Sequence, residues 1–347
     1  MKRLRVGIVG YGNLGRAAAR LLREKRDVWR TGEGLDLDLV CVLGRRGGLF
    51  DPMGLGAALA RHGDGEDKKT LDGVPGFDPS LRFGRVVEER LIDLLLEFTP
   101  TDKETGEPGT THLREALKRG IHVATGNKGP ILAAWEELSH LAREGGLLLG
   151  IGCTTGGALP SVIAGCEGMA GADVSLIEGV LNGTTNFILS RMEGGLAYED
   201  ALREAQAAGI AEANSDMDVR GWDTAVKLLI LAKVVMKGGL SLNDVAVTGI
   251  TRLTPKDVER EQKAGRRIKL IGRAWREGGE VRASVAPESI SAVHPFYSVS
   301  AKNKCVRYVA DTLGDLFVAG GASGPTPAAA SALRDVICAW RMGMLGS

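Results

Sequence analysis

The hydrophobic pattern opens with a short apolar run, Leu4 to Val9, which reads as a buried strand. The glycine-rich turn Gly10-Tyr11-Gly12-Asn13-Leu14-Gly15 follows, and Arg16 to Arg23 then carries Ala17, Ala18, Leu21 and Leu22 at the spacing of one helix face. Leu35 to Val42 alternates polar and apolar positions before turning apolar, which predicts a second strand ending at Leu43-Gly44-Arg45-Arg46. Gly47 to Asp78 reads as a long polar and glycine-rich insertion. Beyond it, Leu91 to Phe98 predicts a buried strand, Thr110 to Arg119 a helix and Ile121 to Ala124 another strand. Such alternation builds a parallel sheet that binds ligands at the carboxyl ends of its strands. Those ends are Gly10, Gly44, Thr99 and Thr125-Gly126-Asn127-Lys128.

The second half has a different rhythm. Asp173 to Leu181 and Val281 to Val285 read as strands, Ala201 to Ala208 as a helix, and Thr326 to Met342 as a C-terminal helix. Asp223 and Lys227 are four apart and share a helix face, a spacing that usually means an exposed salt bridge. Here Trp222, Ala225, Val226 and Leu228 to Ala232 make the helix apolar almost all round, which places the pair in a buried setting. Buried charges are costly unless paired, and such pairs gather at functional sites. Glu212 precedes them in a loop, where a carboxylate can receive a substrate ammonium. Leu181-Asn182-Gly183-Thr184-Thr185-Asn186 serves either as an Asx-capped turn or as a source of amide and hydroxyl groups for a polar ligand. Lys128, at a strand end between glycines, is either a solvated loop lysine or a group tuned for proton transfer.

Composition narrows the class. With 347 residues, 44% hydrophobic and 25% charged, the chain can bury the cores of two domains. Its 44 Lys and Arg against 43 Asp and Glu leave a net charge near +1, with no global field for nucleic acid or an anionic membrane. The longest nearly uncharged stretch, Gly145 to Cys166, is broken by Gly156, Gly157 and Pro160, so no membrane span is expected. Met1 to Arg5 runs into a strand pattern without a signal-peptide apolar region, and a cytoplasmic protein is expected. The five cysteines make no CxxC pair and are expected to be reduced and mostly buried.

Strand, glycine turn and helix together suit a dinucleotide. In this pattern Gly10 permits the tight turn, Gly12 lets the backbone approach the pyrophosphate, and Gly15 lets helix and strand pack. The second strand ends at Arg45 and Arg46 where many NAD enzymes carry a carboxylate, and guanidinium forks favour a 2'-phosphate. NADP(H) is therefore the preferred cofactor, with NAD(H) the alternative. Leu4 to Gly15 also resembles the opening of diaminopimelate dehydrogenase, an NADP enzyme, and that similarity stops with the nucleotide half.

Along nearly its whole length the chain resembles the homoserine dehydrogenases. The resemblance is carried by Asn182-Gly183-Thr184-Thr185-Asn186, Gly209-Ile210-Ala211-Glu212, Asp218-Val219-Arg220-Gly221-Trp222-Asp223 with Lys227, Asn127-Lys128, His294-Pro295 and Gly320 to Ala329. It implies reversible NAD(P)-dependent reduction of L-aspartate 4-semialdehyde to L-homoserine, in the biosynthesis of threonine, methionine and isoleucine. Asn13, Leu14, Thr99, Pro100, Lys128 and Gly209 would line the cofactor, and Gly321 would return to it. Glu212 would hold the substrate amino group, with Asp218, Asp223 and Lys227 also at the substrate. Lys227 would donate the proton, Lys128 would stabilise charge, and Asp223 would fix the lysine. The resemblance further implies a sodium ion on the backbone carbonyls of Gly152, Thr155, Gly157 and Leu159, and a homodimer.

Three departures stand out: Gly126 for the family's usual alanine, Asn214-Ser215 for its Asp-Pro, and Gly152 where glutamate is common. The expected fold is α/β, a Rossmann-type doubly wound parallel sheet plus an α+β domain. The nucleotide domain would span 1–150, completed by 305–347, and the substrate-binding and dimerisation domain 151–304, with no ACT regulatory domain. Asn214 and the insertion are compatible with a related dehydrogenase of another amino-acid aldehyde, and fold alone is compatible with an inactive cofactor-binding sensor.

Overall fold

Strand β1 (Lys2–Val9) is the centre of a six-stranded sheet completed by β2 (Leu35–Gly44), β3 (Gly47–Phe50), β4 (Leu94–Glu97), β5 (His122–Thr125) and β6 (Leu149–Gly150). The order is β3-β2-β1-β4-β5-β6, parallel throughout except that β3 runs antiparallel to β2. The computed structural model describes residues 1–62 and 70–346, and these fall into two units. One is Met1–Thr154 with the C-terminal residues from Gly324, and the other is Thr155–Ser323.

In the first unit, the helices Asn13–Gly32 and Pro325–Arg341 pack together, the first against β2 and β1 and the second against β5 and β6. Val6, Ile8, Ala18, Leu22, Leu333 and Val336 form the middle of this core. The alternation in β2 does not expose its polar positions. Asp36 and Asp38 are buried and held by guanidinium groups, with Arg26 Nε 2.6 Å from Asp36 and both Arg26 and Arg3 at 2.6 Å from Asp38. Pairing offsets the desolvation of the two carboxylates, so a strand covered on both faces tolerates them.

The segment after Arg46 is more than a solvated insertion. Gly47–Phe50 extends the sheet, and Leu49, Leu55, Leu59, Leu71 and Val74 are buried in the same core. Residues 63–69 of the expected insertion lie outside the described residues.

The second unit holds a mixed sheet of β7 (Val174–Val180), β8 (Val245–Val247), β9 (Arg266–Glu277), β10 (Glu280–Ser291), β11 (Lys304–Ala310) and β12 (Gly314–Gly320), in the order β12-β11-β7-β9-β10-β8. All its pairs are antiparallel except β10 with β8. This corrects the expected boundary at 305: β11 pairs with β7 and β12, so residues 305–323 belong to the second unit and the return to the first begins at Gly324. Backbone pairing over more than a hundred residues is invisible to local periodicity.

One buried carboxylate stitches four strands of this sheet. Glu178 on β7 lies 2.8 Å from Arg307 on β11 and 3.2 Å from Arg273 on β9. Arg273 continues to Glu288 on β10 at 2.9 Å. The helix Trp222–Met236 packs on β7, β9 and β10, burying Thr224 to Val226, Leu228 to Ala232 and Met236 as its composition predicts. Among the described residues no helix is long and apolar enough to cross a membrane. All five cysteines are free, and burial pushes the thiols of Cys41, Cys153 and Cys305 up to about 12.

Candidate functional site

The glycine turn ends β1 and opens the helix Asn13–Gly32. Gly10 has φ +97°, and a Cβ there would come within 2.5 Å of the Phe98 backbone, so only glycine makes this turn. A Cβ at Gly15 would lie 2.2 Å from the Gly10 carbonyl oxygen, which lets helix and strand close together. Gly12 is different, because a Cβ there would meet no heavy atom within 4 Å. The helix start carries no side-chain cap and no acidic residue in its first turn. Its free N–H groups therefore face open space at the positive end of the helix dipole, which suits a pyrophosphate.

A cavity of about 1050 Å³ adjoins this turn. Its lining includes Gly10, Gly12, Arg45, Arg46, Thr99 and Pro100, so the structure brings these expected cofactor residues together. Asn13 and Leu14 begin the adjoining helix. Arg45 and Arg46 are exposed at the end of β2, and Arg46 is 2.7 Å from Asp72. Arg82 and His112 also line the cavity, and the sequence reading named neither.

At the ends of β4 and β5 a buried acid organises the backbone. Glu97 is fully buried and accepts from the Thr99 amide at 3.0 Å, from the Thr99 hydroxyl, and from the Thr125 hydroxyl at 3.0 Å. Asn127 donates to Thr99 Oγ1 at 3.2 Å and accepts from the Gly129 amide at 3.0 Å, capping the helix Lys128–Glu144. Lys128 is the first residue of that helix, where a cation opposes the dipole and contributes nothing to helix stability.

In the second unit, four residues expected or suspected from sequence meet. Asn182 donates from Nδ2 to Asp218 at 2.7 Å and to Asp223 at 2.8 Å, while its Oδ1 accepts from the Thr185 amide at 2.9 Å. It is therefore both the cap of the helix Gly183–Glu193 and the bridge between two carboxylates. Lys227 Nζ stands 2.5 Å from Asp223 and donates to the Leu181 carbonyl at 3.0 Å. Burial, with the Asp223 charge next, raises the Asp218 carboxyl above its ordinary range, against the hydrogen bond from Asn182. Gly209, Glu212 and Asn214 follow the helix Tyr198–Ala207, with Gly209 left-handed and Glu212 exposed.

The sequence reading passed over Lys304. This side chain, 5% exposed, donates to the Gly156 carbonyl at 2.6 Å, and burial followed by the Lys227 charge lowers its ammonium to about 8. A Cβ at Gly157 would lie 3.4 Å from its Nζ. Thr155, Gly157 and Leu159, three of the carbonyls expected to hold sodium, thus share their loop with an ammonium group. Gly321 packs on the same loop, since a Cβ there would be 2.4 Å from the Leu159 nitrogen. At the fourth position, Gly152, a Cβ would sit 2.6 Å from the Asp335 carboxylate, so the glutamate common in the family has no room. That carboxylate is buried and its Oδ1 has no hydrogen-bond partner among the described residues, while Lys304 bonds to Gly156, whose carbonyl is not one of the four.

A family model described as homoserine dehydrogenase matches residues 160–337. An NAD(+)-dependent homoserine dehydrogenase of Pseudomonas canavaninivorans is 36% identical over 346 residues, covering 97% of this chain and 96% of its own. A homoserine dehydrogenase of Methanocaldococcus jannaschii is 34% identical over 331 residues, covering 95% and 96%. The crystal structure of a provisionally assigned homoserine dehydrogenase from Archaeoglobus fulgidus is similar with a TM-score of 0.84 at 33% identity, covering 97% of this chain and 99% of that one. The parallel nucleotide-type sheet and the second mixed sheet are common to this similarity.

Proposed function

Since the chain belongs to the homoserine dehydrogenase family, we propose that it interconverts L-aspartate 4-semialdehyde and L-homoserine with the cluster Asn182, Asp218, Asp223 and Lys227, the observation that carries this reading. Bound NAD(P)H supplies hydride to the carbonyl carbon. As it does so, negative charge grows on the carbonyl oxygen, and an ammonium aimed at that oxygen stabilises the charge and delivers the proton. Lys227 takes this role, held by Asp223 and the Leu181 carbonyl. Asn182 keeps the two carboxylates apart and fixed. The exposed Glu212 receives the substrate ammonium with Asp218, and the family resemblance gives Lys128, on the first unit, the role of stabilising charge. In the oxidative direction the proton returns to Lys227.

The nucleotide turn would hold the pyrophosphate on the helix Asn13–Gly32, with Thr99 and Pro100 as further cofactor contacts in the same cavity; Gly209 and Gly321 are assigned to the cofactor by the family resemblance alone. NADP(H) is the preferred form because Arg45 and Arg46 stand where an acid would select NAD. The Pseudomonas relative is by name NAD(+)-dependent, and Asp72 on Arg46 is the residue that moderates the preference here. A homodimer is the state that membership of the family suggests. Sedimentation equilibrium tests it, and a monomer at micromolar concentration would overturn it.

The deciding experiment is oxidation of L-homoserine by the purified chain with NADP and NAD, beside Lys227→Ala. NADP-linked turnover lost in the variant is the expected result. NADPH binding without turnover of homoserine by either cofactor would overturn the reading in favour of another substrate or a sensor.

A further inference from the structure

One stretch of the wall of the cavity beside the glycine turn is made by Arg82, Phe83, Pro100 and His112. The helix Gly109–Lys118 carries His112, whose ring meets that of Phe83 with centroids 4.4 Å apart and planes tilted by 52°. Arg82 donates from Nη1 to the carbonyls of Pro79 at 2.7 Å and Leu81 at 3.0 Å, so its own loop fixes the guanidinium plane. The acids nearby are engaged within their own turns. Asp102 accepts from the amides of Glu104 at 2.9 Å and Thr105 at 2.8 Å, and Glu107 accepts from the Thr111 amide at 3.1 Å and hydroxyl at 3.0 Å. A flat, largely apolar group suits such a wall better than a charged one.

The second observation is the state of the imidazole. Nδ1 of His112 is buried, has no hydrogen-bond partner among the described residues, and lies 3.6 Å from Glu97 Oε1. That carboxylate already accepts from the amide and hydroxyl of Thr99 and the hydroxyl of Thr125. Its charge favours the tautomer with the proton on Nδ1, which leaves Nε2 as an acceptor. The side chain is 14% exposed, and with Nδ1 buried the edge that lines the cavity is the one carrying Nε2. The wall also joins the end of β2 that bears Arg45 and Arg46. A Cβ at Gly47 would lie 2.4 Å from the Asp78 carbonyl oxygen and 2.7 Å from Pro79 Cα, and Pro79 is the residue that Arg82 holds. In a dinucleotide fold this is the adenosine end of the cofactor.

We propose that this wall receives the adenine of the cofactor and that His112 selects the base, its Nε2 accepting a hydrogen bond from the exocyclic amine. Phe83 and Pro100 supply apolar contact, and the fixed guanidinium of Arg82 offers a cationic plane on which a purine stacks. A base with an oxo group in place of the amine would set one acceptor against another and leave Nε2 unpaired. The proposal rests on the reading of the cavity as the nucleotide site and deepens it by naming the residue that recognises the base.

The test compares NADPH with its hypoxanthine analogue, reduced nicotinamide hypoxanthine dinucleotide phosphate, in which an oxo group replaces that amine. Both fluoresce through the reduced nicotinamide, so titration of the full chain gives each Kd without turnover. The unmodified chain should bind NADPH about tenfold more tightly than the analogue, or better. His112→Phe keeps a ring against Phe83 and removes the acceptor. It should weaken NADPH by about the same factor, leave the analogue unchanged and bring the ratio near one. His112→Gln returns an acceptor and should recover part of the preference. Equal affinities in the unmodified chain, or a preference that survives in His112→Phe, would overturn the proposal. Should His112→Phe fail to fold, His112→Leu makes the same comparison. A chain that binds neither dinucleotide would strike the nucleotide reading of the cavity itself, whereas equal binding of both strikes this proposal alone. Neither outcome depends on homoserine being the substrate.

Discussion

The Nζ of Lys227 stands 2.5 Å from Oδ2 of Asp223, one turn apart on a helix whose other faces are packed with apolar side chains. The two side chains are 16% and 15% exposed, so the pair is shielded yet reachable by a small ligand. A surface pair of this spacing contributes a few tenths of a kcal/mol, which would not justify the desolvation. Lys227→Ala should therefore lower kcat by ~10²–10³ with little change in cofactor affinity. Asp223→Asn should lower kcat less, because Leu181 and Asn182 still hold their partners. Steady-state kinetics with L-homoserine and fluorescence titration with NADPH separate the two effects; a weakened cofactor affinity with normal kcat would remove Lys227 from the chemistry.

Gly12 and Gly15 make opposite predictions from one motif. Gly12→Val places its side chain in open space, so Tm should stay within about 2 °C while NADPH binding is lost. Gly15→Val forces atoms onto the Gly10 carbonyl, and the fold itself should be destabilised by about 2–4 kcal/mol. Differential scanning fluorimetry with and without NADPH distinguishes them. Equal losses of Tm in both variants would mean that the turn is only structural.

Arg46 is held at 2.7 Å by Asp72, and both are largely solvent-exposed at the cavity rim. A 2'-phosphate has to compete with that carboxylate. Asp72→Asn should lower the KM for NADP and leave the KM for NAD unchanged, raising the preference by about tenfold. Arg45→Ala with Arg46→Ala should reverse it by ~10–100-fold. The measurement is the ratio of kcat/KM for the two cofactors, and a ratio unmoved by all three substitutions would place phosphate recognition elsewhere.

What the sequence conveyed follows from how local each signal is. The turn Gly10 to Gly15 and the apolar helix around Asp223 and Lys227 are read from contiguous residues, and the structure has both. The pairing of β11 with β7 is not local, so residues 305–323 are expected in the other unit and Lys304 draws no attention in the sequence. Its burial depends on Gly156, 148 positions away. The core-forming leucines after Gly47 were hidden by the polar residues around them, and Asp36 and Asp38 alternate like exposed positions because their arginines come from other elements. Asn182 was legible as a cap, whereas its bridge to Asp218 and Asp223 is a tertiary fact.

Asp218 links the site to stability. Burial raises its carboxyl above the ordinary 3.8, and the Asp223 charge adds to the shift, with Asn182, Lys227 and Thr184 opposing. For a carboxyl raised on folding, the native state binds more protons than the unfolded chain between the two values, so stability falls as pH rises through the folded value. The favourable contribution is complete only below the unfolded range near 3.8, and at neutral pH the charged Asp218 costs the fold. Asp218→Asn keeps an acceptor for Asn182 and removes that charge. The variant should unfold at higher urea than the unmodified chain at pH 7, the gain should shrink toward zero as pH falls below 4, and kcat/KM for homoserine should drop by about tenfold or more. Urea midpoints measured across this pH range provide the check. A variant that is less stable at pH 7, by an amount independent of pH, would show that Asp218 is held for packing and that its carboxylate carries no strain on behalf of the substrate.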